Sequence, residues 1–349
     1  MKILYVGPLN KGGTCLQRME AFIELGSAVT PIDTEPEPAI EKKEMSFYNR
    51  VRRRLVGPCD LQEINRKIIN KIDKEIFDTV WIDKGIYVYP DTLRYIKKTT
   101  GSLLVHYNTD DIMRNTYIYR NYLRAISLYD IHFTTNVFNI AEMKALGAKR
   151  IYSTGFGYDQ NLFRPIEVSH EDRVKLASDI FFIGHWEPKT EELIYFLARK
   201  GLSVTVRGQE WHRARRWKLL YSVVKSGPVW CEEYVKTLCS GKIGLGILSK
   251  WNRNKNTVRI FEIPACGTFL LAERTPAVES FFCEGIEAEF FSSPQELAKK
   301  AIYYLGHEQK RKEIAYAGYK RCVNSAYSWK DRVKEMICQI EPFLIYKHI

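Results

Sequence analysis

Residues 243–273 have the sequence IGLGILSKWNRNKNTVRIFEIPACGTFLLAE. Two apolar runs, 243–248 and 268–273, flank a polar, basic loop and a short helix predicted over 257–265. Gly267 follows that helix, as expected of a left-handed helix end. A strand, a helix and a second strand in this order form a βαβ unit, whose strands pair in parallel. The stretch therefore predicts an α/β fold.

The same alternation of apolar runs and amphipathic segments extends over the rest of the chain. Further strands are predicted at 2–6, 28–32, 78–82, 102–107, 131–135, 150–154, 179–184, 202–208 and 288–291. A helix over 14–25 ends at Gly26, and another over 137–146 follows Asn136, a good N-cap. This alternation indicates parallel sheets built from βαβ units.

The length of the chain predicts more than one domain. With 349 residues, it exceeds what a single hydrophobic core usually serves. The polar, aperiodic stretch 155–178 is interpreted as a linker. We therefore predict Rossmann-like lobes over 1–165 and 166–328, followed by a C-terminal helix over 329–349. One apolar stripe of that helix is expected to pack on the first lobe; it comprises Trp329, Val333, Met336, Ile337 and Ile340.

Composition narrows the class of protein. The first apolar run ends at Gly7-Pro8, too early for a signal peptide, and no segment approaches the roughly 20 apolar residues of a membrane span. A cytoplasmic location is therefore expected. The eight cysteines form no C-x-x-C pair, which predicts reduced thiols rather than a disulfide framework. The formal net charge of +12 suits an anionic partner, but no nucleic-acid-binding motif is present, so no nucleic-acid partner is expected.

The positive charge is concentrated between Lys42 and Lys74, where ten basic residues stand against four acidic ones. Residues 45–56 combine apolar side chains at helical spacing with four arginines. One interpretation is an interfacial helix that contacts anionic lipid, which would make the protein peripheral to a membrane carrying lipid-linked acceptors. The alternative is a helix that packs on the first lobe while its arginines are solvated.

Ligands of parallel α/β sheets bind beyond the carboxyl ends of the strands. After the first strand, Gly12, Gly13 and Thr14 open a helix, and backbone N–H groups at such a start suit a phosphate. The alternative is a plain tight turn. His106 in the strand 102–107 and the following Asp110 and Asp111 are candidate catalytic residues, and a carboxylate here could accept the proton of an acceptor hydroxyl. Adjacent aspartates are also good helix N-caps.

The loop before the helix 257–265 offers Lys255, Asn256 and Thr257 as anion ligands. Arg259 and Glu262 are three residues apart and share one helix face. Arg259 is placed to reach a phosphate, while the two oxygens of Glu262 could accept both hydroxyls of a ribose. An ordinary surface ion pair is the alternative for these two residues.

The stretch RIFEIPACGTFLLAE (259–273) resembles the C-terminal signature of group 1 glycosyltransferases, in the branch of the CgeB-like spore maturation proteins. Further similar segments, in order along the chain, are GPLNKGGT (7–14), NTDD (108–111), GFGYDQNLFRP (155–165), FIGHWEP (182–188), VRGQEW (206–211) and GHEQKRKEIAYAGYKRC (306–322). The resemblance implies a GT-B fold, with two Rossmann-like lobes facing a central cleft. It also implies a nucleotide-diphosphate sugar held mainly by the second lobe, an acceptor on the first, and no metal or other cofactor.

The resemblance also assigns individual residues. Glu262 matches the ribose-binding carboxylate of the family. The glutamate found seven residues earlier in many relatives falls on Lys255, which removes the usual contact to the donor sugar. Gly184 opens the segment in which the family places an Arg and a Lys on the diphosphate. His185 stands at the Arg position, Lys189 replaces the Lys, and Arg207 is a compensating cation.

We therefore expect a glycosyltransferase that moves a sugar from a nucleotide-diphosphate donor to a hydroxyl of a glycan, lipid-linked or protein acceptor. Synthesis of a surface glycan or glycoconjugate is the expected context. The loss of the glutamate at Lys255 supports an alternative, a catalytically inactive GT-B-shaped protein that serves in binding or assembly.

Overall fold

A computed structural model describes residues 1–35, 47, 51, 52, 55, 57–114, 116–225 and 227–345. The chain forms two compact units. The first comprises Met1–Phe156, Trp251–Asn254 and Trp329–Ile349, and the second comprises Gly157–Lys250 and Lys255–Ser328. The first unit thus ends before the position, 165, at which the sequence-based division was placed. Among the described helices, none has the length and apolar character needed to cross a membrane.

The first unit is built on a sheet of six parallel strands in the order β2-β1-β3-β4-β5-β6. The strands are β1 (Lys2–Gly7), β2 (Ala28–Asp33), β3 (Thr79–Asp83), β4 (Leu103–Asn108), β5 (Ile131–Thr134) and β6 (Ile151–Ser153). The helices along the chain are α1 (Thr14–Glu24), α2 (Ile64–Ile72), α3 (Pro90–Thr99), α4 (Arg120–Ala125) and α5 (Val137–Ala145), with a 3-10 helix at Ile126–Leu128. The C-terminal helix, Trp329–Ile345, completes this unit.

Successive side chains of a strand point to opposite faces of the sheet, and helices cover both faces of this one. Ile3 and Tyr5 belong to the core that contains α1 and the C-terminal helix. Leu4 and Val6 belong to the core that contains α2 and α3. The apolar stripe of the C-terminal helix lies in the first of these cores, where Trp329 is 1% exposed.

The second unit is built on five parallel strands in the order β11-β10-β9-β7-β8. The strands are β7 (Ser178–Ile183), β8 (Val204–Arg207), β9 (Gly241–Gly246), β10 (Phe269–Glu273) and β11 (Glu289–Phe291). The helices are α6 (His170–Leu176), α7 (Pro188–Arg199), α8 (Trp217–Leu220), α9 (Cys231–Ser240), α10 (Arg259–Ala265), α11 (Pro276–Phe281), α12 (Pro294–Gly306) and α13 (Glu308–Val323), with a 3-10 helix at Trp211–Arg213.

Two glycines of β9 let a neighbouring strand and a helix approach closely. A Cβ atom on Gly241 would lie 2.2 Å from the ring of Phe181 in β7. A Cβ atom on Gly244 would lie 2.8 Å from both Phe181 and Ile263 of α10. The close packing of α10 on the sheet therefore depends on glycine in β9.

The two parallel sheets confirm the predicted α/β class with Rossmann-like lobes. The helix predicted to contact lipid, over 45–56, lies mostly outside the described residues. Of its apolar residues, Phe47, Val51 and Leu55 are described, and all three are exposed.

Candidate functional site

Most of the predicted donor-binding residues lie in the second unit, at or beyond the carboxyl ends of its parallel strands. Gly184 directly follows β7, Arg207 ends β8, and Lys255 begins the loop that leads into α10. This edge of a parallel sheet is where α/β proteins place their ligands.

Arg259, the first residue of α10, lies against the end of β7. Its Nε donates a hydrogen bond of 2.5 Å to the carbonyl oxygen of Ile183, and one Nη lies 3.3 Å from the Thr257 hydroxyl. A Cβ atom on Gly184 would stand 2.8 Å from the other Nη of Arg259. Because Gly184 has no side chain, it leaves the space that the guanidinium of Arg259 occupies. The two predicted residues therefore belong to one local arrangement.

Glu262 lies one turn along α10 and is only 4% exposed. Its Oε2 accepts a hydrogen bond of 2.7 Å from the hydroxyl of Tyr234 in α9. Burial raises the pKa of Glu262 to about 7, although the Tyr234 hydroxyl and the charge of Arg259 act in the opposite direction. Near neutral pH this carboxylate is therefore poised between its two protonation states. A buried, poised carboxylate beside an arginine is unlike an ordinary surface ion pair.

Arg207 is a second arginine at this edge and, unlike the half-buried Arg259, it is buried, with 7% of its surface exposed. One Nη lies 3.9 Å from the carboxylate of Glu233 in α9. Its buried Nε has no hydrogen-bond partner among the described residues. An unpartnered guanidinium donor inside the protein is costly, and a bound anion would satisfy it.

Lys189, at the start of α7, is already engaged by a carboxylate. Its Nζ donates to the carboxylate of Glu273 at the end of β10 and, at 3.1 Å, to the carbonyl oxygen of Leu248. The amide of Leu248 in turn donates to Glu273. The charge of Lys189 is thereby neutralised, and its ammonium group ties the ends of β9 and β10 to α7.

His185 and Glu187 follow β7 in the same segment. Nε2 of His185 lies 3.4 Å from Glu187, and the His185 side chain is 49% exposed. The amide of Lys250 donates to the buried carboxylate of Glu187 at 2.8 Å. Burial raises the pKa of Glu187, but hydrogen bonds from His185, Ser249 and Lys250 outweigh it and leave the pKa below its usual value.

The loop before α10 starts with an exposed Lys255, followed by half-buried Asn256 and Thr257. The carbonyl oxygen of Lys255 accepts a hydrogen bond of 2.6 Å from the hydroxyl of Thr275. The helix itself begins at Arg259, two residues later than the sequence predicted. The loop is thus anchored through its backbone, and Thr257 also contacts Arg259.

The predicted glycine-rich turn lies in the first unit. Gly12 has a positive φ of 81°, and the amide of Gly13 donates to the carbonyl oxygen of Asn10 at 2.8 Å. A Cβ atom on Gly13 would lie 2.9 Å from that same oxygen. Thr14 then begins α1. Both glycines are explained by the tight turn itself, the alternative that the sequence left open.

The two adjacent aspartates of the first unit have different surroundings. Asp111 is fully buried and forms a two-pronged ion pair with Arg253, and Asn139 also donates to it. Burial alone would raise its pKa, but these bonds lower it to about 2. Asp110 is half-buried and accepts a hydrogen bond of 2.6 Å from the hydroxyl of Tyr119. Asp111 therefore anchors the segment Trp251–Asn254, and Asp110 is the more accessible carboxylate.

His106 points into the core of the first unit. It is 1% exposed, and its ring stacks on that of Tyr122 at a centroid distance of 3.9 Å. Burial lowers the pKa of His106 well below its usual value, and the nearby His132 acts in the same direction. A neutral imidazole enclosed by aromatic rings favours a structural role over the predicted catalytic one.

Sequence reasoning did not single out four of these partners. Tyr234, Glu233 and Arg253 lie outside the motifs quoted above, Glu273 is only the last residue of the stretch 259–273, and each meets its partner only through the fold. A signal existed only for Arg253, as one of three cations in the loop after β9. Within the part of the chain that the structure describes, no group of three or more His, Cys, Asp or Glu residues is arranged to hold a metal ion.

Two parallel sheets flanked by helices, with a buried arginine and a buried glutamate at the carboxyl edge of the second, define the class as a GT-B fold. Solved structures agree. Sucrose-phosphate synthase from Thermosynechococcus elongatus matches with a TM-score of 0.70 at 11% identity, over 99% of this chain and 100% of that one. Anabaena HepE, solved in complex with UDP-glucose, matches with a TM-score of 0.64 at 14% identity, over 97% and 100%.

Sequence comparison identifies more specific similarities than the fold alone. Residues 189–338 match the model of a family described as glycosyl transferase-like. Spore protein CgeB of Bacillus subtilis (strain 168) is 26% identical over 218 residues, which make up 57% of this chain and 66% of that protein. The match thus spans just under two thirds of the length of CgeB. The chain is thus similar to CgeB and to glycosyl transferase-like proteins, the resemblance that the sequence predicted, and it has the predicted GT-B fold.

Proposed function

We propose that the protein transfers a sugar from a nucleotide-diphosphate donor to the hydroxyl of an acceptor, and that the second unit binds the donor. The observation that carries this proposal is that α10 places both Arg259, bonded to the end of β7, and the buried Glu262 at the carboxyl edge of the second sheet. The family match covers this segment, and HepE, one of the similar structures, binds UDP-glucose.

In this proposal Glu262 accepts the two hydroxyls of the donor ribose, and Tyr234 holds its carboxylate in place. Arg259 and Arg207 bind the diphosphate, since guanidinium groups match phosphate oxygens in a two-pronged geometry. Lys189 is bound to Glu273, so it contributes to the diphosphate site through the shape of the loops rather than as a free cation.

The transfer breaks the bond between the anomeric carbon and the diphosphate oxygen and forms a bond from that carbon to the acceptor oxygen. Negative charge develops on the departing diphosphate, and fixed cations that face this charge lower the barrier. The acceptor hydroxyl loses its proton in the same process. In this proposal Asp110 accepts that proton. Of the two adjacent aspartates it is the accessible one, because Asp111 is buried and its carboxylate is bound by Arg253.

The direct test is a thermal-shift series with UDP-, GDP-, ADP- and CMP-sugars, followed by assay of donor hydrolysis. A ligand present at 100 times its Kd stabilises the native state by about 2.7 kcal/mol, which gives a clear shift. UDP-glucose is the first probe. Stabilisation together with slow hydrolysis supports the enzyme. Stabilisation without hydrolysis or transfer supports the alternative, a binding or assembly protein. That alternative is suggested by Lys255, which stands where many relatives have a glutamate.

Activity is expected to survive an excess of EDTA. In this proposal, the charge on the leaving diphosphate is stabilised by Arg259 and Arg207, so chelation of divalent ions removes nothing that the reaction uses. The measurement is transfer or hydrolysis of the preferred donor before and after chelation. Loss of activity that Mg²⁺ or Mn²⁺ restores would contradict the metal-independent assignment.

Affinity for UDP-glucose is expected to rise with pH. Ribose hydroxyls donate best to an ionised carboxylate, so binding selects the deprotonated form of Glu262, whose pKa in the free protein is raised by burial to about 7. Between pH 6 and pH 8 the affinity should increase about tenfold and then level off, as ionisation becomes complete. Calorimetric titration measures this directly. UDP-glucose is chosen because its esterified diphosphate does not titrate in this range.

The control for the pH series is Glu262→Gln, which cannot ionise and should bind with a weaker but pH-independent affinity. A wild-type affinity that stays flat or falls between these pH values would exclude Glu262 as the ribose ligand.

A further inference from the structure

Two cysteines of the second unit lie together where α9 and α10 end. Cys239 is the penultimate residue of α9, and Cys266 directly follows α10. The thiol of Cys239 lies 3.6 Å from the carbonyl oxygen of Cys266. The same two ends are joined by the hydroxyl of Thr268, which donates to the carbonyl oxygen of Leu238 at 2.7 Å. All eight cysteines of the chain are free thiols in the structure.

We propose that Cys239 and Cys266 form an oxidisable dithiol site, which low-molecular-weight disulfides convert to an internal disulfide that joins α9 to α10. The site stands on the contact between two cysteines that are 27 positions apart in the chain. Cys239 is half-buried and thus partly open to a small oxidant, whereas Cys266 is only 3% exposed.

The surroundings of the two thiols shift their pKa values in opposite directions. A hydrogen bond from the thiol of Cys266 is the main reason why the pKa of Cys239 is lowered to about 7, so a large share of Cys239 is thiolate at neutral pH. Burial and the same contact raise the pKa of Cys266. Cys239 is therefore the attacking thiol, and Cys266 is the thiol that resolves the intermediate.

The reaction is thiol–disulfide exchange in two steps. The Cys239 thiolate attacks one sulfur of oxidised glutathione, and a mixed disulfide forms while one glutathione thiolate leaves. The Cys266 thiol then gives up its proton and attacks the sulfur of Cys239, which expels the second glutathione. Two thiols and one oxidised glutathione thus yield one protein disulfide and two reduced glutathiones.

The disulfide would act on the proposed donor site, and this consequence rests on the proposed function. The helix α9 carries Tyr234 and Glu233, and α10 carries Arg259 and Glu262. A disulfide holds its sulfurs about 2.05 Å apart and restricts the two helix ends to the positions that its geometry allows. The amide of Cys266 is hydrogen-bonded to the backbone carbonyl oxygen of Glu262, so this restriction reaches the residue that carries the carboxylate.

The test uses the full chain, treated with oxidised glutathione, alkylated with N-ethylmaleimide and digested without reductant. Mass spectrometry is expected to find a Cys239–Cys266 linkage. The exposed Cys283 and Cys338 serve as controls and should carry glutathione adducts only. A Cys239 that stays alkylatable, or that ends as a glutathione adduct without Cys266, would overturn the proposal.

Nucleotide binding gives a second readout. Oxidation is expected to weaken UDP-glucose binding on the order of tenfold, because a binding constellation must be held within roughly 0.5 Å of its productive geometry. Dithiothreitol should restore the affinity. Cys239→Ser should be insensitive to oxidation, Cys266→Ala should stop at the mixed disulfide of Cys239 with glutathione, and Cys283→Ser should behave as wild type. The half-buried Cys239→Ser remains informative if Cys266→Ala does not fold.

The two readouts separate this proposal from the proposed function. If the reduced protein does not bind any nucleotide-sugar, the proposed function fails, while the linked peptide still decides whether the dithiol site exists. An oxidised protein with the linkage and unchanged affinity would refute the effect on the donor site.

Discussion

Glu262→Gln is expected to weaken the binding of the donor nucleotide by roughly 30- to 100-fold, or about 2–3 kcal/mol, the cost of losing charge-assisted hydrogen bonds in a buried site. A neutral amide offers only one acceptor oxygen, whereas the carboxylate can receive both ribose hydroxyls. Folding should be little affected, because the amide oxygen can still accept the Tyr234 hydroxyl. Titration with UDP-glucose at pH 8, where Glu262 is ionised, measures the full effect.

The matched control is Glu289→Gln. Glu289 is likewise a buried carboxylate of the second unit, 5% exposed, and also accepts a tyrosine hydroxyl, that of Tyr304. It lies in β11 and pairs with Lys300. Its substitution should lower stability without changing nucleotide affinity. Equal affinity in wild type and Glu262→Gln would remove Glu262 from the site, and an equal loss in both variants would indicate a general effect of carboxylate removal.

Arg18→Ala is expected to destabilise the first unit by about 3–5 kcal/mol, the usual result of leaving a buried carboxylate without its partner. Arg18 and Asp83 have side chains that are each 1% exposed, and the Nε of Arg18 donates to Asp83 at 3.0 Å. The guanidinium also lies 3.8 Å from the ring centre of Tyr107 and 4.6 Å from that of Trp329. The substitution thus also weakens the attachment of the C-terminal helix. Urea unfolding followed by tryptophan fluorescence measures the loss.

Two further variants show whether the stability loss of Arg18→Ala comes from breaking a buried ion pair. Arg94→Ala breaks a surface ion pair with Asp91, whose side chains are 59% and 92% exposed, and should change stability by no more than about 0.5 kcal/mol. The double variant Arg18→Met, Asp83→Leu removes both buried charges and should be more stable than Arg18→Ala alone. A loss below about 1 kcal/mol for Arg18→Ala would show that the pair contributes little to the fold.

The sequence by itself determined the class of the fold. Alternating apolar runs and amphipathic helices are local patterns, and both parallel sheets follow from them with strand positions close to those observed. The spacing of Arg259 and Glu262 placed them on one helix face, which is also a local property. The resemblance carried by residues 259–273 added the GT-B fold, which the solved structures confirm.

Only the tertiary structure decided which of the charged residues are already paired with another residue and which can bind a ligand. Lys189 and Glu273 are 84 positions apart, and Asp111 and Arg253 are 142 apart, so no local pattern indicates that these charges pair. Similarly, His106 lies in a predicted strand, but its enclosure depends on rings that come from other elements. The pKa of Glu262, about 7, results from burial, which raises it, and from the hydroxyl of Tyr234 in another helix, which partly offsets that rise. Burial and long-range pairing depend on how strands and helices are ordered in space, whereas periodicity records only what each segment does on its own.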